Sequence, residues 1–154
     1  MEVLNNYQRK KIDESNDEEF YSDPKFVYHL DLNFRQYLTN VYKNEIEDYS
    51  TVLDLMSSWD SYLPQEKKYK KVIGHGLNKQ ELEKNKIFDS YWIQNFNLNQ
   101  ELPLDSGSVD YCLMVAAWQY LQFPENLTKE IVRILSNQGK IIIAFSNRAF
   151  WHKA

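Results

Sequence analysis

Apolar residues recur every three or four positions before Ser50 and gather into short continuous runs after it. Phe34, Tyr37, Leu38, Val41 and Tyr42 fall on one helical face, with Asp31 placed to cap the start and an end expected near Ile46. Five runs then read as strands: Thr51-Val-Leu-Asp-Leu55, Lys70-Lys-Val-Ile-Gly74, Tyr91-Trp-Ile-Gln94, Val109 to Val115, and Lys140 to Phe145. The fourth and fifth are almost wholly apolar, as strands covered on both faces are. Between them Pro124 opens a helix whose stripe is Leu127, Ile131, Ile134 and Leu135, and Gly139 is placed to end it. Asn78 to Asn85 reads as a shorter helix capped by Asn78. Strands alternating with helices predict an α/β fold with a parallel sheet and right-handed crossovers.

The first nineteen residues are polar, with Asp13, Glu14, Asp17, Glu18 and Glu19 close together. They predict a flexible arm over 1–19, followed by one domain over 20–154 in which 20–49 forms a helical lead-in or lid. A length of 154 residues suits one core. A mean hydropathy of -0.63, and no apolar run near the ~18 residues of a span, argue against a membrane. No apolar segment follows Met1, so a cytoplasmic location is expected. Cys112 is the single cysteine, and no Cys/His spacing suggests zinc. Eighteen basic against 22 acidic residues, and a pI near 5.4, disfavour nucleic acid as the main partner.

The glycine count narrows the chemistry further. Only Gly74, Gly76, Gly107 and Gly139 are present, against roughly eleven at an average usage of about 7%. A dinucleotide site needs glycines that this chain lacks. Ligands of open parallel sheets bind beyond the carboxyl ends of the strands, which directs attention to the residues after each run. There, Val52-Leu-Asp-Leu, Val72-Ile-Gly, Leu102-Pro-Leu-Asp-Ser-Gly-Ser-Val-Asp110 and Glu130-Ile-Val-Arg-Ile-Leu-Ser-Asn-Gln-Gly-Lys-Ile-Ile-Ile143 stand in order. Together they resemble the class I S-adenosylmethionine-dependent methyltransferases of the type 11 kind. The likeness is to a subgroup with an altered glycine loop and a short C-terminus.

That resemblance implies a Rossmann-like sheet of order 3-2-1-4-5 without the usual final antiparallel strand pair. It also implies S-adenosylmethionine as cofactor. Asp54 matches the acid that holds the methionine part, and Met56, Ser57 and Ser58 form the turn after it. Gly76 stands where the family grips the ribose with an acid, Asn78 being the nearest polar replacement. Asn95 and Phe96 match the adenine site, and Val115 and Ala116 the strand end facing the methyl group. The family's three turn glycines are Met56, Ser58 and Asp60 here, which adds bulk where backbone approaches ligand. His29 and Trp118 are the candidate catalytic or substrate contacts, with packing the plainer reading for His29 and an equal alternative for Trp118; His75 sits beside the ribose end. The expected function is methyl transfer to an unspecified acceptor. The alternative is a methyltransferase fold without turnover that serves as a binding or interaction module. An uncovered fifth strand further suggests a homodimer or protein partner at that edge.

Overall fold

The fold was obtained as a computed structural model and describes residues 3–154. Among these residues, β1 (Thr51–Leu55), β2 (Lys71–Gly76), β3 (Ser90–Ile93), β4 (Val109–Val115) and β5 (Leu135–Ala144) form one sheet. Its order is β3-β2-β1-β4-β5 and every pairing is parallel. The helices are α1 (Asp17–Phe20), α2 (Leu32–Glu45), α3 (Lys79–Lys84) and α4 (Pro124–Ile134). None among the described residues is long and apolar enough to cross a membrane.

Alternation along the central strands assigns each face its helix. Leu53, Leu55, Cys112 and Met114 pack with Leu127, Ile131 and Ile134 of α4. Val52, Val72, Tyr111 and Leu113 pack with Leu38, Tyr42 and Ile46 on the α2 side. The caps follow the sequence: the Asp31 carboxylate accepts from the Phe34 amide at 2.9 Å, and the Asn78 side chain from the Glu81 amide at 3.1 Å. Asp110 carries the base of the sheet, accepting from the Thr51 amide and the Ser136 hydroxyl.

Two expectations are corrected. Gly139 does not end α4, because Ile134 does. β5 begins at Leu135 and contains Gly139, and its register against β4 slips between Val109 and Tyr111. Leu135 pairs with Val109 and Lys140 with Tyr111, so the residues between bulge out of the ladder. The apolar run from Lys140 is thus only the later part of the strand.

The other correction concerns the polar arm, of which residues 1 and 2 lie outside the described residues. From Arg9 to Asp17 it is docked on the domain. The Arg9 guanidinium pairs with Glu125 and bonds the Gln122 carbonyl. Lys153 is fully buried, with its ammonium 3.3 Å from Asp13, 3.5 Å from Asp17 and 2.7 Å from the Ser15 carbonyl. The Asp13 amide donates to the His152 carbonyl at 2.8 Å. Charged residues hold this segment because their partners lie at the far end of the chain, where local composition cannot reveal them. The tail that binds it packs over the carboxyl ends of the strands, with Phe150 edge-on to Phe20 and Tyr21. β5 keeps β4 as its sole strand neighbour among the described residues.

Candidate functional site

The carboxyl ends of β1, β2 and β4 and the chain following β3 open onto one cavity of about 560 Å³. Asp54, Met56, Ser57 and Ser58 line it from β1 and its turn, and Gly76 and Asn78 from the end of β2. Asn95 and Phe96 line it after β3, and Val115 and Ala116 at the end of β4. The lead-in contributes Tyr21, Lys25, Tyr28, His29 and Leu30; the tail contributes Asn147 to Phe150 and Lys153. Every cofactor residue expected from the resemblance therefore faces the same space. His29 joins them, whereas Trp118 lies outside the lining, packed against the α4-side core.

The turn after β1 retains a glycine-like backbone without glycine. Met56 has φ 53°, in the left-handed region, and Ala116 at the end of β4 has φ 49°. Such conformations cost of order 1 kcal/mol for a non-glycine residue and persist only where neighbours hold them. Here the neighbour is His75. The Met56 amide donates to His75 Nδ1 at 3.0 Å, and the Ser57 amide donates to the His75 carbonyl at 2.7 Å. On its other side, His75 Nε2 meets the Gln94 carbonyl at 2.8 Å. The turn lies so close to β2 that a Cβ on Gly76 would sit 2.6 Å from the Ser57 carbonyl oxygen. No acidic side chain fits at position 76.

An acid nevertheless reaches this end of the cavity from α3. Glu81 is buried and lines the space, accepting from Ser58 Oγ at 2.5 Å and from the Lys25 amide at 2.6 Å. Sequence reasoning missed it because it lies one helical turn past the strand end. Its position three residues after the Asn78 cap was the available signal. Asn78 itself spends both side-chain donors on the Tyr21 and Ser22 carbonyls, at 2.9 Å each, and so anchors the lead-in. The Asn95 side-chain oxygen accepts from the Asn97 amide at 2.9 Å. Phe96 stacks on the His75 ring at 3.9 Å.

Burial sets the protonation of the central groups. The Asp54 carboxyl is pushed up to about 7 by desolvation, against the pull of the Ser57 and Ser61 hydroxyls and with a further push from Asp60. Desolvation drives His75 down to about 3, so its imidazole is neutral at ordinary pH. His29 is also lowered, first by desolvation and then by the Lys25 charge, while Glu81 opposes the shift. Among the described residues no group of three His, Cys, Asp or Glu is arranged to hold a metal ion.

The raised carboxyl gives a test that needs no ligand. An unfolded Asp titrates near 3.8, so the folded state holds the Asp54 proton more tightly than the unfolded chain. That contribution is complete below about 4 and is lost as pH rises through about 7. Asp54→Asn should therefore match the parent in denaturant unfolding at about pH 4 or below and exceed it by ~2–4 kcal/mol at pH 8. An equal difference at both pH values would contradict the raised carboxyl.

Comparison with known proteins agrees with this geometry. The family model described as "Methyltransferase domain" matches residues 60–143, more than half of the chain. The match begins at Asp60, the last of the three turn positions after β1. No curated protein sequence matches the chain. Among solved structures, a chain from the complex of the Haloferax volcanii Trm112 methyltransferase activator superposes with TM-score 0.60 at 24% identity, covering 74% of this chain and 54% of that one. An S-adenosylmethionine dependent methyltransferase from Mesorhizobium loti gives 0.56 at 16% identity, with coverage of 68% and 50%. A SAM dependent methyltransferase from Aquifex aeolicus gives 0.57 at 16% identity, with coverage of 86% and 76%. The chain thus spans about half the length of the first two. The likeness to these structures shows a common fold, and the family match covers the α3 to β5 region that frames the cavity. The chain belongs to the methyltransferase domain family, whose members use S-adenosylmethionine.

Proposed function

We propose that this chain is an S-adenosylmethionine-dependent methyltransferase whose cofactor occupies the cavity at the carboxyl ends of the strands. One observation carries the reading: all ten residues expected at the cofactor line a single space of about 560 Å³. That volume lies within the range of small-molecule sites. When bound, the cofactor supplies a methyl group already activated on a sulfonium, so positioning provides most of the catalysis. Asp54 and the Ser57 hydroxyl on it, 2.5 Å apart, hold the amino-acid end. Phe96 supplies an apolar wall for adenine, with Asn95 beside it. Glu81 gives the β2 end the acid that Gly76 cannot carry. His29, with its imidazole kept neutral by desolvation and Lys25, accepts the proton that an acceptor releases.

Calorimetry on the full chain tests the reading. We expect S-adenosylhomocysteine to bind with a dissociation constant between about 10 μM and 1 mM. Asp54→Asn and Glu81→Gln should each weaken it by about tenfold or more, the loss of one charge-assisted hydrogen bond. Absence of both binding heat and a thermal shift at millimolar ligand would overturn it. A methyltransferase fold without turnover is favoured by one observation, the family match starting only at residue 60, the last position of the turn. Binding of S-adenosylhomocysteine without methyl transfer to any acceptor tried would support that second reading.

The partner we assign to the fifth-strand edge is a second copy of the chain. Ile141 and Phe145 of the run Ile141-Ile-Ile-Ala-Phe145 are exposed, at 39% and 60%. β5 has one side unpaired among the described residues, and a twofold axis would make that edge self-complementary. Analytical ultracentrifugation should find a dimer at micromolar concentration and a monomer for Ile141→Lys. A monomeric parent would dismiss this partner.

A further inference from the structure

We propose that His75 is a positioning residue that holds the glycine-free turn in its left-handed conformation and ties that turn to the adenine wall. The inference rests on the cofactor reading above. His75 is 1% exposed, and its ring bridges two backbone groups from opposite sides of β2. The Met56 N–H at 3.0 Å can only donate, and the Gln94 carbonyl at 2.8 Å can only accept. Those fixed roles assign the tautomer: Nδ1 is the acceptor and Nε2 carries the hydrogen. An imidazolium would set two N–H groups against each other at Met56, so the ring serves only while neutral.

The same ring stacks on Phe96, with centroids 3.9 Å apart and planes 18° apart, and lies 4.9 Å from Trp92. One side chain therefore sets three things at once: the Met56 amide, the end of β3 and the tilt of Phe96. The need for it arises at Met56, where φ is 53°. Glycine would adopt that angle at no steric cost, but methionine needs a partner to keep it there. The hydrogen bond from its amide to Nδ1 is such a partner. His75 thus does through a side chain part of what a glycine would do through its backbone.

A double-mutant cycle between positions 56 and 75 tests this. His75→Phe keeps the stacking area and removes both hydrogen bonds. It should weaken S-adenosylhomocysteine binding about tenfold or more in the parent and less than about threefold in Met56→Gly, which no longer needs the partner. His75→Gln, with one donor and one acceptor, should recover part of the affinity. A ring that merely fills the core would give the same loss in both backgrounds and no recovery with Gln, and that result overturns the proposal. Amide hydrogen exchange of the ligand-free chains gives a separate reading if the parent binds no S-adenosylhomocysteine. There His75→Phe should speed exchange at Met56 and over 94–97 together. Unchanged protection at Met56 would overturn the role of His75 independently of the cofactor.

Discussion

A neutral imidazole buried between three strand ends is the constraint on which the rest of the site depends. His75 bonds the turn after β1 through one ring nitrogen and the chain after β3 through the other, while its face supports Phe96. Desolvation keeps the ring uncharged and so keeps both bonds compatible. Asp54, one strand away, is also buried, and desolvation biases its carboxyl towards the protonated form. The floor of the cavity is thus held by groups that are nearly neutral without a ligand and polar enough to receive one.

Closure of the cavity depends on contacts between the two ends of the chain. The lead-in is fastened to α3 by Asn78 and Glu81 and to the turn by Trp59, whose indole donates to the Val27 carbonyl at 3.3 Å. The Arg35 guanidinium lies 3.7 Å from the centre of the Tyr28 ring and bonds the Leu30 carbonyl. The tail is fastened by Phe150 among Phe20, Tyr21, His29 and Tyr120, and by Lys153 between Asp13 and Asp17. Of the charged residues lining the cavity, Lys11 and Lys153 both pair with Asp17. Glu81 contacts both the lead-in and the turn, so a ligand that moves Ser58 also acts on the cover.

The strands were legible because the central ones are continuous apolar runs, and their order was what the resemblance of the motifs along them implied. Caps were legible for the same local reason: Asp31 and Asn78 act within three residues of themselves. Contacts that span the chain left no local trace. Lys153 reads as a terminal lysine until Asp13 and Asp17 are brought to it, and Arg9 reads as arm until it meets Glu125. Gly139 followed the rule for helix ends, but Ile134 already ends α4, and the glycine lies in the strand bulge. In the candidate site, the ten expected cofactor positions came from the resemblance, and all of them line the one cavity. Trp118, open in the sequence between substrate contact and packing, lies in the short 3-10 turn after β4 and packs against the core. Glu81 escaped notice because its carboxylate approaches the β2 end from the side.

The central claim is that a turn without glycine, steadied by His75, still shapes one cofactor cavity. The most direct measurement is a nitrogen-proton correlation spectrum of the full chain titrated with S-adenosylhomocysteine. The account predicts saturable shifts of the Met56, Ser57, Asn95, Phe96 and Ala116 amides that share one binding curve, with Val132 on the outer face of α4 unmoved. Shifts confined to one side of His75, or separate curves for the turn and the adenine wall, would contradict it.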